Sequence, residues 1–508
     1  MSHVQKMLKQ KGFWICLGLF SVALLARLLL ALQLPFPPLD DPAFYVQTAR
    51  NVAAGRGLIS DVIWSYQFPF STVTHPSHEY WMPLTTLLMA PWISIFRTTG
   101  AAHLSGVICG ALLVPLTYWL GLRTRVRSRW LAGSAALLVA GSISLTYQSA
   151  SFDSAMPFAL CAGLALIAGG LAIERRSWRW AFLSGMASGL AYLTRADGLL
   201  IPVCVGGALL WRTSPRRAVW RLWLALAIGT ALLILPWWWR NWSVFGAAQP
   251  VSPWTTVMLQ NYAQLFNWHD APSLAQLWAR GVPFIVNLRA QALLHNLNVW
   301  LLATFPFGLL SVPGLIIERR VVLRLGFIYA IAALIITGLV FSVPTLFGLF
   351  YHSSGAVAPW AAVGAAATIQ WIAMRRQGRL IAAGLIAGIA MLMAVQWVMA
   401  WRAVTAESQM NLVKFTAAAR WLKDHVPPDR PILTTQAHSL NYASGYPTLN
   451  IPVSQNTAVL RQVAERYDAS YVIVTEKNGQ YPQALDQPAA RARLVAEFPD
   501  TWIYKLER

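Results

Sequence analysis

The chain has 508 residues, of which 56% are hydrophobic and only 12% charged, about half the charged fraction of a soluble globular protein. A mean hydropathy of +0.49 excludes a disordered chain, a soluble multidomain enzyme and a small disulfide scaffold. The formal net charge of +21 takes its meaning from where it sits, because a basic excess suits nucleic acid or a membrane topology equally well.

A membrane-spanning helix needs about 20 predominantly apolar residues. In chain order, apolar segments predict spans near 13–32, 101–122, 130–147, 155–173, 181–194, 198–211, 222–239, 292–316, 323–343, 356–374 and 380–400, eleven in all. The segments 181–194 and 198–211 are short and read as a bent pair or half-helices. Segment 83–96 is apolar but carries Pro83 and Pro91, and is expected to lie at an interface. The four cysteines, Cys16, Cys109, Cys161 and Cys204, all fall in apolar segments and read as small buried hydrophobes.

Residues 1–400 hold 28 basic and 9 acidic residues, and residues 401–508 hold 12 and 10. Twenty of those 28 lie in short clusters between apolar segments: Lys6–Lys11, Arg123–Arg129, Arg175–Arg179, Arg212–Arg221, Arg319–Arg324 and Arg375–Arg379. Such clusters mark cytoplasmic loops. With a cytoplasmic N-terminus, every one of them falls on the cytoplasmic side. The charge is thereby explained as topology, with no nucleic-acid partner.

The other side then carries the long connections 33–100, 240–291 and 344–355 and the tail 401–508. A transmembrane domain over 1–400 is expected to be followed by a small extracytoplasmic α/β domain over 401–508. In that tail an amphipathic helix around 412–422 is stopped by Pro427-Pro428. Strands are predicted at 432–435, 471–475 and 502–504, with helices at 457–467 and 486–497. The tail contains no phosphate-binding loop and no nucleophile elbow. Most acids of the membrane half lie at this outer end: Asp40, Asp41, Asp61, Glu79, Asp153, Asp197 and Asp270. Ionisable residues at a membrane cavity are functional candidates by default.

The sharpest feature is Pro37-Pro38-Leu39-Asp40-Asp41-Pro42. Two adjacent carboxylates raise one another's pKa or require a cation nearby, which suits a general base beside a hydroxyl or a metal ligand set. Asp41 before Pro42 also reads as a helix N-cap, a reading that leaves Asp40 unexplained. Tyr45, Ala49, Val52 and Ala53 give the helix an apolar face, expected along the interface. Asp153, in the turn before Ser154, reads as either an active-site carboxylate or a cap. Arg195 reads as a phosphate clamp or as the ion-pair partner of Asp197. In Pro236-Trp-Trp-Trp239-Arg240-Asn241 the tryptophans fit an aromatic belt; Arg240 either contacts a phosphate or caps the helix dipole. His75, His78 and Glu79 form a dense polar loop. Their order is not a zinc-protease pattern, and Pro76 argues against a helix presenting them on one face, so they are read as substrate-loop residues. His352 sits in a further outer loop, as a hydrogen-bonding or substrate-facing residue.

Together these segments resemble the polytopic glycosyltransferases of the C-type (GT-C) fold, which use lipid-linked sugars, and most nearly the protein O-mannosyltransferase and aminoarabinose transferase-like group. The resemblance rests on four features in order: the pair Asp40-Asp41 opening a juxtamembrane helix that ends Gly55-Arg-Gly57; Asp153 after the third span; Gly189-Leu-Ala-Tyr-Leu-Thr-Arg195; and Pro236-Trp-Trp-Trp-Arg240-Asn241 through Gly246. It implies a polyprenyl-phosphate-linked sugar donor and transfer to a hydroxyl acceptor on the non-cytoplasmic face. Asp40 would be the base, with Asp41 beside it and Asp153 as a second acidic site. A divalent cation, Mg or Mn, on Asp40, Asp41 and Asp153 stays open. A glycosyl phosphate already carries a good leaving group, so the chemistry needs a base and a cationic clamp on phosphate. Direct displacement would invert the anomeric centre. The rivals are a transporter or flippase of lipid-linked sugars, or a non-catalytic binding protein. Carriers usually place charge near the mid-membrane, where Arg27 is the main exception in this chain.

Overall fold

The computed structural model describes residues 3–38, 40–212, 216–268, 271–342, 349–453, 457–475, 485 and 490–507. Helices dominate the first 425 residues. The first is α1 (His3–Ala31), followed by the short α2 (Asp40–Ala53) and α3 (Leu84–Phe96). A run of bundle helices comes next: α4 (His103–Gly121), α5 (Arg129–Gly141), α6 (Ile143–Ala150), α7 (Ala155–Arg175), α8 (Trp178–Thr194), α9 (Leu200–Arg212) and α10 (Arg216–Phe245). Two short helices, α11 (Trp254–Met258) and α12 (Leu274–Ala279), precede α13 (Val282–Ala303), α14 (Gly308–Ile317), α15 (Val321–Ile335), α16 (Leu349–Ala373) and the 48-residue α17 (Gly378–His425).

Among the described residues, seven of these segments are long and apolar enough to span a membrane, and two bent pairs raise the number to nine. The protein is a multi-pass membrane protein. Each of the eleven sequence segments is largely helical, but the count is smaller because α8 and the 196–211 segment fall short of a spanning length. The 130–147 segment is bent by 53° between α5 and α6. Ser142 causes that break: its backbone is extended and its side chain accepts from the Leu145 N–H, starting a new helix. The 292–316 segment turns by 94° between α13 and α14, where Pro306 offers no N–H to continue the ladder.

Small residues let the helices approach. A Cβ on Gly185 of α8 would collide with the Leu226 carbonyl of α10, and one on Gly229 of α10 with the Phe182 carbonyl of α8. This close crossing fixes the end of α8, from which Arg195 projects.

Beyond the bundle, six strands among the described residues form one sheet in the order β2-β5-β4-β6-β8-β7. They are β2 (Val62–Ile63), β4 (Ile432–Thr434), β5 (Thr448–Asn450), β6 (Tyr471–Val474), β7 (Ala492–Phe498) and β8 (Thr501–Leu506); β1 (Ile59–Ser60) and β3 (His75–Pro76) pair separately. The first four strands of the order are parallel, and β8 and β7 run antiparallel. Helices α18 (Ala437–Ser444) and α19 (Thr457–Arg466) connect the parallel strands. The sheet therefore takes its edge strand β2 from the early loop, 386 residues from Thr448. The expected helix over 486–497 is corrected: its described part, from Ala492, is strand β7 against β8.

Helix α2 does not lie along an interface. Residues Pro42–Ala49 are buried, because α2 is enclosed by α3 and by α18 of the C-terminal layer. The 83–96 segment is the 13-residue helix α3, about 20 Å long at 1.5 Å per residue and too short to span.

Candidate active site

Four chain segments converge at the end of the bundle that carries the sheet. Asp41 opens α2, Asp153 sits in the turn between α6 and α7, Arg195 ends α8, and His352 lies in the first turn of α16. The expected outer loop at 344–355 is in part this helix, which begins at Leu349. That places His352 on a rigid element.

His352 joins the two acids. Its Nδ1 stands 2.8 Å and 3.0 Å from the two Asp153 oxygens. A carboxylate only accepts, so Nδ1 carries the proton and donates. Its Nε2 lies 3.8 Å from Asp41 Oδ2. Asp153 also accepts from Ser154 Oγ and from the Ala155 N–H, both at 3.1 Å. It thus starts α7 as a cap would and belongs to the charged cluster as well. Burial pushes its carboxyl up, but His352, then Arg195 and Ser154, more than offset this and hold it below the usual carboxylate range.

Asp41 behaves in the opposite sense. Burial pushes its carboxyl up and neighbouring Asp153 adds to that, while His352, the Trp81 indole and Arg195 oppose it. The net result is a pKa above the usual range. Of the two acids only Asp41 remains reachable: 30% of its side chain is exposed, against 3% for Asp153.

Arg195 pairs with Asp197 at 3.2 Å, so the expected local ion pair is present. Its Nη1 also donates to Ser154 Oγ at 3.5 Å and its Nη2 to the Leu349 carbonyl at 3.4 Å. Ser353 donates to the other Asp197 oxygen, locking the turn to α16. Tyr45, expected on an apolar helix face, is buried against this group.

Asp40 lies elsewhere. Its Oδ1 accepts from the Ser439 N–H at 3.1 Å and from Ser439 Oγ at 3.0 Å, in the first turn of α18. Asp40, the expected base, is thus hydrogen-bonded across to α18, and its neighbour Asp41 faces the cluster. The reason is helical geometry, since successive residues point about 100° apart. Nor do Asp40, Asp41 and Asp153 gather as metal ligands. Ser439 takes Asp40, and the imidazole of His352 stands between the other two. Among the described residues, no three His, Cys, Asp or Glu side chains are disposed to hold a metal ion.

The remaining candidates form a second group. Arg240 stacks over the rings of Trp237 and Phe245, and its Nη1 donates to the Ser77 carbonyl at 3.1 Å. His78 is buried between Ser77 and Thr86, at 2.8 Å and 3.2 Å. Burial and the nearby Arg240 lower its pKa to about 3. Glu79 Oε2 is buried with no hydrogen-bond partner among the described residues, and burial raises its carboxyl. His75 is a strand residue stacked on Phe70, its Nε2 3.0 Å from the Val62 carbonyl. It reads as a structural residue. Asp270 lies outside the described residues.

Residues 90–245 match the model of the dolichyl-phosphate-mannose-protein mannosyltransferase family. The apo structure of ArnT from Cupriavidus metallidurans superposes with a TM-score of 0.60 at 13% identity, over 96% of this chain and 97% of that one. The same protein bound to undecaprenyl phosphate gives 0.58. The chain has the C-type glycosyltransferase fold. The archaeal oligosaccharyltransferase AglB from Archaeoglobus fulgidus, in complex with an inhibitory peptide and a dolichol-phosphate, shares it at a TM-score of 0.57 and 12% identity, over 92% of this chain and 70% of that one. No curated protein sequence matches significantly.

Within this C-type fold, sequence reading missed Tyr45, Trp81, Ser154 and Ser353 as members of the cluster. Tyr45 and Trp81 were legible only as aromatic bulk. Ser353 stands beside a flagged histidine, the one available signal.

Proposed function

We propose that this protein is an inverting glycosyltransferase that moves a sugar from a polyprenyl-phosphate donor to a hydroxyl acceptor on the non-cytoplasmic face of the membrane. The matched family and the shared fold support a lipid-linked-sugar transferase, and the non-cytoplasmic face follows from the basic clusters of the opposite loops. The observation that carries the reading is the reachable, raised carboxyl of Asp41 beside the Asp153–His352 pair and Arg195.

Asp41 takes the proton of the acceptor hydroxyl as its oxygen attacks the anomeric carbon. The new C–O bond forms as the bond to the phosphate oxygen breaks, and the electron pair leaves on polyprenyl phosphate. Its raised pKa suits a base that must release the proton again. Asp153 holds the His352 ring, whose Nε2 faces Asp41 at 3.8 Å. Arg195 faces the charge developing on the leaving phosphate, with Arg240 along the path of the lipid headgroup. Cation chemistry is not needed for any of these steps.

Transport is the weaker reading. The buried arginine of α1, Arg27, is held by Ser149 and by backbone carbonyls, which makes it a structural node. The test is incubation of the purified protein with radiolabelled sugars on polyprenyl phosphate and a panel of hydroxyl acceptors. Labelled product with the anomeric configuration opposite to the donor's supports the proposal. Retained configuration, or no product above a heat-killed blank, rejects it.

A further inference from the structure

The turn that carries Asp153 is strained. Helix α6 ends at Ala150, and Ser151 follows with φ −93° and ψ 13°. Phe152 then takes φ +59°, in the left-handed region that costs any side chain free energy. A chain commonly leaves a helix through one left-handed residue, but that residue is usually glycine. Among the described residues, the other non-glycine positions with positive φ are His, Arg or Asp. Phe152 is the one apolar side chain held this way, and it immediately precedes an acid of the site. Strain kept beside a functional group calls for a reason.

The reason lies in what the ring touches and what the backbone aims. Phe152 is buried and stacks on His103, the first residue of α4, with ring centroids 3.7 Å apart and planes 23° apart. It also belongs to the buried apolar cluster that holds Phe44 and Tyr45, on the helix that Asp41 opens. These contacts offset the backbone cost. Directly after the left-handed step, Asp153 Oδ1 accepts from the Ala155 N–H at 3.1 Å and starts α7, while Oδ2 faces His352 Nδ1 at 2.8 Å. A return of Phe152 to the ordinary φ of about −60° would rotate the chain beyond it by about 120°. With α7 and α16 fixed by their packing, the carboxylate then loses one of those contacts or both.

Resting on the transferase reading, we propose that Phe152 is a positioning residue for sugar transfer: held left-handed by its stack on His103, it aims the Asp153 carboxylate at His352 and so fixes the imidazole whose Nε2 faces Asp41. In a neutral ring, a proton committed to Nδ1 leaves Nε2 as the acceptor. The Asp153 contact therefore decides which form of the ring Asp41 meets. No contact between Phe152 and substrate is involved; the residue acts through the direction it gives its neighbour.

The experiment uses the full chain in lipid nanodiscs with polyprenyl-phosphate-linked sugars and a panel of hydroxyl acceptors, and compares wild type with Phe152→Ala and Phe152→Gly. Both variants lose the same ring contacts. They differ in that glycine enters the left-handed region without steric cost. The expected result for Phe152→Ala is a kcat lowered about thirtyfold, as a small misplacement of a catalytic group produces, with KM within about twofold of wild type. Phe152→Gly should recover kcat to within about threefold of wild type, although Tm falls in both variants. His103→Ala and His103→Phe read the same contact from the other side and carry the test if the Phe152 variants do not fold. The first should lower kcat as Phe152→Ala does, and the second, which keeps a flat ring, should restore it. Equal kcat losses in Phe152→Ala and Phe152→Gly overturn the proposal, because lost packing alone then explains both. So does a wild-type kcat in Phe152→Ala, or a change confined to KM. Wild-type protein that transfers no sugar from any donor sinks the transferase reading and this proposal with it, whereas an active wild type with equal variants sinks the proposal alone.

Discussion

Two buried arginines show how differently one side chain is used in the same protein. Arg27, fully buried in α1, donates to Ser149 Oγ at 3.1 Å, the Ala23 carbonyl at 3.1 Å and the Val139 carbonyl at 3.4 Å. These partners are neutral and the packing is closed: a Cβ on Gly110 of α4 would strike Ser149 Oγ and come within 3.0 Å of Arg27 Nε. Arg195 sits among acids instead. Burial works against its charge, but Asp197, Tyr45, Asp153 and Asp41 more than offset this and raise its pKa. One arginine ties α1, α4, α5 and α6 together. The other belongs to a group of titrating side chains with one reachable member. The lesson is that burial of a charge does not mark a site, whereas coupling to an accessible group of opposite sign does.

The largest effect should separate these two directly. Arg195→Ala is expected to lower kcat for sugar transfer by about a hundredfold or more, the usual size for removing a contact to developing charge. Arg27→Met should leave kcat within about threefold, since none of the partners it loses is an acid, and should instead lower Tm, because buried polar groups lose their donor. A comparable kcat loss in both variants would erase the distinction. Gly110→Ala should resemble Arg27→Met in reverse, by overpacking the node: lower Tm and yield, with the specific activity of the folded fraction retained.

The pH profile is the next test. Asp41 must be ionised to act, and its pKa lies above the usual carboxylate range. The acid limb of kcat/KM should therefore fall at a higher pH than an ordinary aspartate gives, with activity rising as the pH increases through it. Asp153 is held below its usual range. Its contribution to stability is thus complete at neutral pH and is lost only as the pH falls through that lowered value. A melting curve that softens before the acid limb of activity would invert this assignment. The smallest expected effect is that of EDTA. With His352 between Asp41 and Asp153, chelation should change transfer by less than about twofold. A large loss restored by Mg or Mn would mean that a cation enters between those carboxylates and displaces the imidazole.

The membrane half was largely legible in the sequence, because apolar length and basic clusters are strong signals that need no tertiary information. The breaks were less so. Ser142 caps a new helix inside an unbroken apolar segment, and only the backbone there reveals it. The site was legible by residue type but not by direction. Asp40 and Asp41 are indistinguishable as letters, and the N-cap reading of Asp41 before Pro42 pointed attention to Asp40, whereas the proposed base is Asp41. What decides between them is α18, nearly 400 residues later, whose Ser439 takes Asp40. His352 read as a loop residue for a similar reason: no local pattern announces that helix α16 already covers it. The strand β2, Val62–Ile63, joins the C-terminal sheet by a long-range pairing that no local pattern announces.

The central claim is that the second acid of the pair, not the first, is the base. It is tested most directly by measuring transfer of radiolabelled sugar from polyprenyl phosphate by wild-type, Asp41→Asn and Asp40→Asn protein at matched folding. The account predicts a loss of about a thousandfold for Asp41→Asn and a loss within about tenfold for Asp40→Asn, traceable to a looser α2–α18 contact. Full activity in Asp41→Asn, or a complete loss confined to Asp40→Asn, would contradict it.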